Sequence, residues 1–200
     1  ELFWSNGWGT IYLVGSTYLT KSYGQDAGNR KKFTVSAWFK RSKLGATQDL
    51  ISAYRSSDGL QTDVIRFGAT DDLEFYAHST AGNSPFNYQT NRLFRDTNAW
   101  YHVVVMVSTI DNTASDRVRI YVNGVRETSF SVANNPSQND ETVWGISSGV
   151  VHTIGAVGTA NKFDGLASHI HYCDGYAYDA SSFGETDATT GEWKIKTSPS

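Results

Sequence analysis

Two histidines near the end of the sequence have a spacing that could bind a metal ion. His169 and His171 lie in the segment FDGLASHIHY, whose composition is typical of a strand. Residues two apart on a strand point to the same side, so both imidazoles could reach one ion. The alternative, which we favour because the sequence positions no third ligand, is an exposed polar face opposite Leu166, Ile170 and Tyr172. The sequence therefore assigns no metal ligands.

Aromatic rings beside polar groups could instead bind a sugar. A sugar stacks its C–H face on a ring while its hydroxyls bond polar side chains. Two residues of one strand alternate with apolar neighbours and should face away from the core, and further candidates lie on other strands or at edges. The candidate ligand-binding residues are Tyr76, His78, Arg66, Trp38, Tyr54 and Trp144. The alternative is that these aromatics cover one another beneath loops or fill a subunit interface.

Calcium would require several oxygen ligands on neighbouring loops. The available carboxylates at turns and strand edges are Asp58, Asp63, Asp71, Asp72 and Asp164. No EF-hand-like spacing links them, and Asp is common in turns because it hydrogen-bonds its own backbone. The sequence leaves a structural Ca²⁺ open, assigns it no ligands, and predicts no other cofactor.

Composition excludes several classes of function. The 200 residues carry a net charge of −3, and their one basic cluster, Arg30-Lys31-Lys32, precedes a predicted strand, so we expect no nucleic-acid partner. No apolar stretch approaches the roughly 20 residues that span a bilayer. A single cysteine, Cys173, excludes an intrachain disulfide. No signal peptide is visible, and because the sequence opens on Glu1 we expect a processed protein or part of a longer one.

The elements that must position these residues are predicted to be strands. Phe33, Val35, Ala37 and Phe39 alternate with polar residues and Trp38, so period two places Trp38 on the face away from the core. The Asn123-Gly124 pair predicts a two-residue hairpin, because both turn residues must adopt positive φ. The segment 103–107 is apolar on both faces and should be covered on both sides. The residues expected to be buried are Val103, Val105, Val118, Ile120, Val122, Ile154 and Ile170.

The order of these strand motifs resembles a known family. The motifs are Trp38; Trp100, His102, Val103 and Val105; Val118, Tyr121, Val122, Asn123 and Gly124; Ile154 and Gly155; and Phe163, Gly165, Ile170 and Tyr172. In this order they resemble the laminin-G-like branch of the concanavalin A-like superfamily. The resemblance implies an all-β fold, a two-sheet antiparallel jelly-roll sandwich over residues 1–178. A C-terminal tail, residues 179–200, would pack on this domain or leave it.

Some enzymes share that fold, and their motifs can be compared with this sequence. Retaining glycanases of the superfamily use an E-x-D-x-x-E strand that places two carboxyls about 5–5.5 Å apart. The nearest match, residues 185–190, ends in Thr and lies in the tail. The Ser168-His169-Ile170-His171 segment only partly matches an alginate-lyase strand, and the other lyase motifs are absent. We therefore predict no catalytic residues, with a polysaccharide lyase or glycanase as the alternative.

A narrower resemblance is to laminin-G-like modules of tailed bacteriophages, particularly marine ones. It rests on the segments 27–30, 94–96 and 182–187, followed by Gly191 and Trp193. The resemblance implies a non-catalytic virion surface module of a tail fibre, a tail or a capsid decoration, assembled in the host cytoplasm. Its partners would be a host surface glycan, other virion proteins or both, and it could form a homo-oligomer. The alternative is a secreted carbohydrate-binding module with an extracellular location.

Overall fold

A computed structural model describes residues 10–14, 17–22, 28–55, 62–78, 85–145 and 149–196. These residues form strands and two short 3-10 helices, Ala114–Asp116 and Ala180–Ser182. The strands are β1 (Thr10–Leu13), β2 (Leu19–Ser22), β3 (Lys32–Arg41), β4 (Gln48–Arg55), β5 (Thr62–Phe67), β6 (Asp72–His78), β7 (Pro85–Leu93), β8 (Tyr101–Ser108), β9 (Val118–Val122), β10 (Val125–Arg126), β11 (Phe130–Asn134), β12 (Val150–Ile154), β13 (Gly165–Asp174), β14 (Gly184–Thr186) and β15 (Trp193–Ile195).

Two antiparallel sheets pack face to face. The six-stranded sheet has the order β1-β13-β3-β8-β9-β10, and the seven-stranded sheet has the order β11-β7-β6-β5-β4-β12-β2. Strands β14 and β15 form a separate hairpin in the tail. The predicted two-sheet antiparallel sandwich is therefore confirmed.

The core lies between the sheets because alternate residues of each strand are apolar. Phe33, Val35 and Phe39 of β3 point into the core, opposite Ile65 and Phe75 of the other sheet. Every residue that the sequence predicts to be buried is buried: Val103, Val105, Val118, Ile120, Val122, Ile154 and Ile170. Period-two alternation therefore predicted the core correctly.

The predicted hairpin is also present. Asn123 and Gly124 adopt φ values of 50° and 81°, as a type I′ turn requires, and join β9 to β10. The Asn123 side chain accepts a hydrogen bond from the backbone N–H of His102 at 2.7 Å, which fixes the turn to β8.

A β-bulge in β13 changes the face assignment predicted for this strand. The register shifts between Ser168 and His171, so three steps of β13 oppose two of β3. Ile170 points into the core, but Leu166 lies opposite Lys40 on the outer side. The predicted common face of Leu166, Ile170 and Tyr172 is therefore wrong, because a bulge breaks the two-residue period.

The tail packs on the outer face of the six-stranded sheet. Ala180 and Phe183 form a small buried cluster with Val104 of β8, and Tyr121 and Trp193 pack against it. Both faces of β8 are consequently covered, as its apolar sequence predicts, and all eight of its residues are buried. Within the described chain, Ala180, Phe183 and Trp193 of the tail therefore pack against this sheet.

Candidate functional site

The outer face of the seven-stranded sheet brings polar and aromatic side chains together. Strand pairing aligns Asp49 of β4 with Arg66 of β5, and Arg66 with Glu74 of β6. A second row aligns Val64 of β5 with Tyr76 of β6. Because neighbouring strands lie about 4.8 Å apart, the side chains of the two rows lie next to one another on this face. We call these side chains, together with Tyr54, the outer face.

An ion pair occupies the middle of the outer face. Arg66 donates from Nε and Nη2 to Oε2 of Glu74, at 2.6 Å in both cases. About a third of the Arg66 side chain is exposed (32%), whereas the Glu74 side chain is largely buried (11%). The pair therefore holds the guanidinium in one position, with part of its edge open to solvent.

Asp49 lies beside this pair beneath a loop. Its backbone N–H donates to the carbonyl of Asn161 at 2.7 Å, and the residue has no exposed surface. Neither carboxylate oxygen has a well-formed hydrogen bond. Burial raises the pKa of Asp49 to about 6, although the positive charge of Arg66 partly opposes this effect. Asp49 thus adds negative charge below the surface without being open to a ligand.

Two of the predicted aromatics lie on the same face as the ion pair. Tyr76 and Tyr54 are both half-buried. Tyr54 pairs with Thr62, the first residue of β5. The Tyr54 ring contacts the loop at Gly158, where an added Cβ would lie 3.2 Å from the Tyr54 hydroxyl. His78 belongs to β6, but its side chain lies outside the described part of the chain. The structure therefore brings Tyr76, Arg66 and Tyr54 onto one face.

Trp38 does not join them, because it belongs to the other sheet. It is only 6% exposed and stacks on His102, with ring centroids 4.8 Å apart. On this sheet's outer face, Trp193 of the tail donates from Nε1 to Nδ1 of His102 at 2.9 Å. Since Nδ1 accepts, Nε2 carries the hydrogen and donates to Ser36 Oγ at 2.8 Å. Trp38 thus supports a buried polar network beneath the tail.

Trp144 lies in the core rather than at an edge. It is 2% exposed and stacks on Tyr172 at a centroid distance of 5.8 Å. A cavity of about 20 Å³ beside it is also lined by Ile51 and Ile170. A space of this volume holds a single water molecule and not a sugar. In this structure the Trp144 ring is not open to a glycan.

The carboxylates considered for calcium have separate protein partners. Asp63 is buried and accepts from the backbone N–H groups of Val143 and Trp144. Asp71 pairs with Arg41, and Asp164 accepts from Ser42 at a different place. Asp72 accepts from Thr70, while Asp58 lies outside the described residues. Across the described ranges, no cluster of three or more His, Cys, Asp or Glu side chains is arranged to hold a metal ion.

The two histidines of β13 are not a simple alternating pair. His169 lies in the bulge with φ of 48°, and Ser168 Oγ lies 2.6 Å from its Nδ1. His171 lies opposite Ser36, and its ring contacts Phe183 of the tail. Burial lowers the pKa of both imidazoles. Both histidines are therefore next to the tail-covered face of the six-stranded sheet.

Glu185 and Asp187, the tail carboxylates nearest to a glycanase motif, form ion pairs on the tail hairpin. Asp187 Oδ2 lies 3.0 Å from Lys194 Nζ, and Glu185 lies 3.6 Å from the same ammonium group. The hydrogen bond from Lys194 and those from the backbone of Thr190 and Thr189 lower the pKa of Asp187 to about 2. Asp187 therefore stays ionised at neutral pH and has no proton to donate as a general acid.

The free energy of unfolding should decrease with acidification, because burial disfavours the charged form of two histidines. Burial lowers the pKa of His102 to about 3 and that of His152 to about 4. Unfolded histidine titrates near 6.5, so below that pH the unfolded chain binds protons that the folded chain does not. Asp49 has the opposite sign, since its raised pKa contributes stability at low pH that is lost as pH rises through about 6.

We expect the free energy of unfolding to fall by about 3 kcal/mol between pH 7 and pH 4.5 in urea titrations. The His102→Asn variant keeps an oxygen that can accept from Trp193 but has no group that titrates in this range. Without His102, the opposite contributions of His152 and Asp49 nearly cancel, so the free energy of unfolding of this variant should change by less than about 1 kcal/mol over the same range. Equal slopes for the two proteins would exclude His102 as the source.

The sequence comparison identifies the family. The family model for laminin G domains, described as the concanavalin A-like lectin/glucanases superfamily, matches residues 13–174. The chain therefore belongs to the concanavalin A-like lectin/glucanases superfamily. No curated protein sequence matches the chain.

Solved structures share the fold at low sequence identity. The CBM40 domain of a Ruminococcus gnavus IT-sialidase, bound to α2,3-sialyllactose, superposes with a TM-score of 0.64 and 15% identity, covering 86% of this chain and 93% of that one. Domain 4 of a Geobacillus stearothermophilus arabinanase, in complex with arabinotriose, gives 0.56 and 17%, with coverage of 85% and 83%. Domains LG4-5 of the mouse laminin α1 chain give 0.53 and 13%, covering 82% of this chain and 40% of that one.

Among the described residues there is no helix with the length and hydropathy needed to cross a bilayer.

Proposed function

We propose that this domain is a non-catalytic glycan-binding module whose site is the outer face of the seven-stranded sheet. The observation that carries the proposal is the difference between the two sheets. The outer face of the six-stranded sheet is covered by the protein's own tail. The other outer face carries the partly exposed Arg66 together with half-buried Tyr76 and Tyr54. Rings beside fixed polar groups provide what a sugar needs.

Structural relatives support the same class of ligand. The CBM40 domain and the arabinanase domain are each described in complex with an oligosaccharide. Their identity to this chain is 15% and 17%, so the choice of residues for the site rests on this chain's own geometry.

Catalysis is not part of the proposal. Glu185 and Asp187 are engaged by Lys194 on the tail hairpin, and Glu74 is engaged by Arg66. Asp49 is fully buried, so it cannot touch a glycosidic bond. We therefore expect no release of reducing ends and no unsaturated uronic acids from a polysaccharide panel. Turnover that is abolished by Glu185→Gln would favour the enzyme alternative.

We also propose that the module acts on the surface of a bacteriophage particle, either by recognising a host glycan or by contacting other virion proteins. This part rests on the sequence resemblance, including the tail segment that packs against Val104. Quantitative composition of purified particles tests it, because a virion protein occurs in stoichiometric amounts. A secreted carbohydrate-binding module would be absent from particles, and native mass spectrometry of the isolated domain would detect a homo-oligomer.

The Tyr76→Ala variant is expected to weaken glycan binding by roughly 5- to 10-fold, because a ring contact contributes about 1 kcal/mol. The matched control is Tyr12→Ala, which removes a 65% exposed tyrosine from β1 at the edge of the other sheet. Binding should be measured on an oligomerised display, because single shallow sugar sites are weak and multivalency increases their avidity. The proposal involves no cation, so EDTA should leave binding unchanged.

Equal losses for the two tyrosine variants would mean that the glycan binds elsewhere. Failure of the oligomerised domain to bind host cells or any extracted surface glycan would refute the glycan-binding function.

A further inference from the structure

Resting on the proposed function, we infer that the outer face selects uncharged sugars over sialylated or uronic-acid sugars. The inference follows from the arrangement of charge around Arg66, the guanidinium at the middle of the face. Recognition of an acidic sugar generally needs a cation whose donors are available to the ligand carboxylate.

Two of the Arg66 donor groups, Nε and Nη2, are already directed at a protein carboxylate. Nε and Nη2 both lie 2.6 Å from Oε2 of Glu74, a short, charge-assisted contact. The Glu74 side chain is only 11% exposed, so the surrounding residues hold its carboxylate next to Arg66. A ligand carboxylate would have to share the guanidinium with Glu74, and like charges at that distance repel.

The other charged groups around the pair add negative charge. Asp49 faces Arg66 from β4, and Asp72 lies two residues before Glu74 on β6. Both carboxylates are buried, as is that of Glu74. Lys162 lies on the covering loop, but its ammonium group sits 5.9 Å from the centroid of the Tyr18 ring, towards the sheet edge. In the described part of this face, Arg66 is thus flanked by Asp49 and Glu74 on the neighbouring strands, and Asp72 adds a third carboxylate close to Glu74.

The same arrangement suits a neutral sugar. The exposed edge of Arg66 can donate to a hydroxyl oxygen, and the Glu74 carboxylate can accept from a hydroxyl group. On the neighbouring strand β7, Gln89 lies opposite Glu74 and Asn87 lies opposite Tyr76. Amide side chains donate and accept equally well, so they match hydroxyl groups better than a carboxylate does.

The inference can be tested with matched pairs of sugars on the oligomerised wild-type domain. The probes are lactose beside 3′-sialyllactose and oligoglucose beside oligoglucuronate, together with a wider neutral and acidic glycan array. We expect the preferred ligands to be neutral, with at least 10-fold weaker binding to their acidic counterparts. Raising NaCl from 50 to 500 mM should change neutral binding less than 2-fold, since no ionic contact is made.

A charge-releasing variant tests the role of Glu74 directly. Glu74→Gln frees the Arg66 guanidinium and should strengthen binding to the acidic members about 10-fold. The matched control is Glu127→Gln, which releases Arg92 from a 2.9 Å ion pair elsewhere and should change nothing. Because the array uses the wild-type domain, a misfolded variant would leave that test intact.

Two outcomes would overturn the inference in different ways. A wild-type preference for acidic sugars would refute neutral selection while leaving the glycan-binding function in place. Binding to no sugar on the array would refute the glycan-binding function and the inference with it.

Discussion

Replacing Gly124 with valine is expected to lower the free energy of unfolding by about 3–5 kcal/mol, because backbone strain and overpacking add. Gly124 has φ of 81°, a conformation that a β-branched residue resists. An added Cβ would also lie 2.5 Å from Cε3 of Trp193, which packs over the turn. The substitution should therefore strain the hairpin and displace the tail together. Urea denaturation followed by far-UV circular dichroism measures the loss.

Gly45→Val separates these two causes. Gly45 has a similar φ of 66°, but no heavy atom lies within 4 Å of its added Cβ. This control should lose only the strain contribution, about 1–2 kcal/mol. If both variants lost the same free energy, the contact between Gly124 and Trp193 would have no energetic importance.

The fold could be predicted because its signals are local. Val118, Ile120 and Val122 alternate with polar or aromatic residues within one strand. The pair Asn123-Gly124 favours a type I′ turn, because both residues can adopt the positive φ that this turn requires. These features depend on residues within a few positions of each other, so the sequence contains them directly. The family resemblance then implied the two-sheet antiparallel arrangement, which local patterns leave undetermined.

The bulge in β13 could not be predicted in the same way. It depends on how β13 pairs with β3, where the register shifts between Ser168 and His171. In the structure, the αL conformation of His169 marks the bulge. In the sequence, no residue type in this segment distinguishes it from a regular strand. Alternation therefore put Leu166 on the wrong face, since a shift of one residue exchanges the two faces.

The candidate site was partly predictable for related reasons. Alternation placed Tyr76 away from the core, and strand pairing brought it to Arg66. The same reasoning placed Trp38 on an outer face correctly, but Trp193 of the tail, which stacks on the Trp38 partner His102, comes from more than 140 positions later in the chain. Asp49 and Glu74 were missed because their importance comes from the register with Arg66. The only signal was a charged residue inside an otherwise apolar strand.

Replacing Trp193 with alanine is expected to detach the tail from the six-stranded sheet and to lower the free energy of unfolding by about 2–3 kcal/mol. The indole fits between Gly124 and Gly184 and donates to His102, so its loss removes ring packing and leaves a buried nitrogen without its donor. Hydrogen exchange should become faster across residues 179–196. Lys194→Ala, next in sequence but exposed, should leave stability close to that of the wild type.

The same variant distinguishes the two outer faces as ligand sites. Detaching the tail would expose Trp38 and His102, while Arg66 and Tyr76 lie on the opposite side of the sandwich and do not contact it. If the seven-stranded sheet carries the site, Trp193→Ala should bind glycan within 2-fold of the wild type while its tail exchanges rapidly. A gain of binding on detachment would instead locate the site under the tail and make the tail an inhibitory segment. A loss of binding in a domain that remains folded would require the tail itself to contact the glycan.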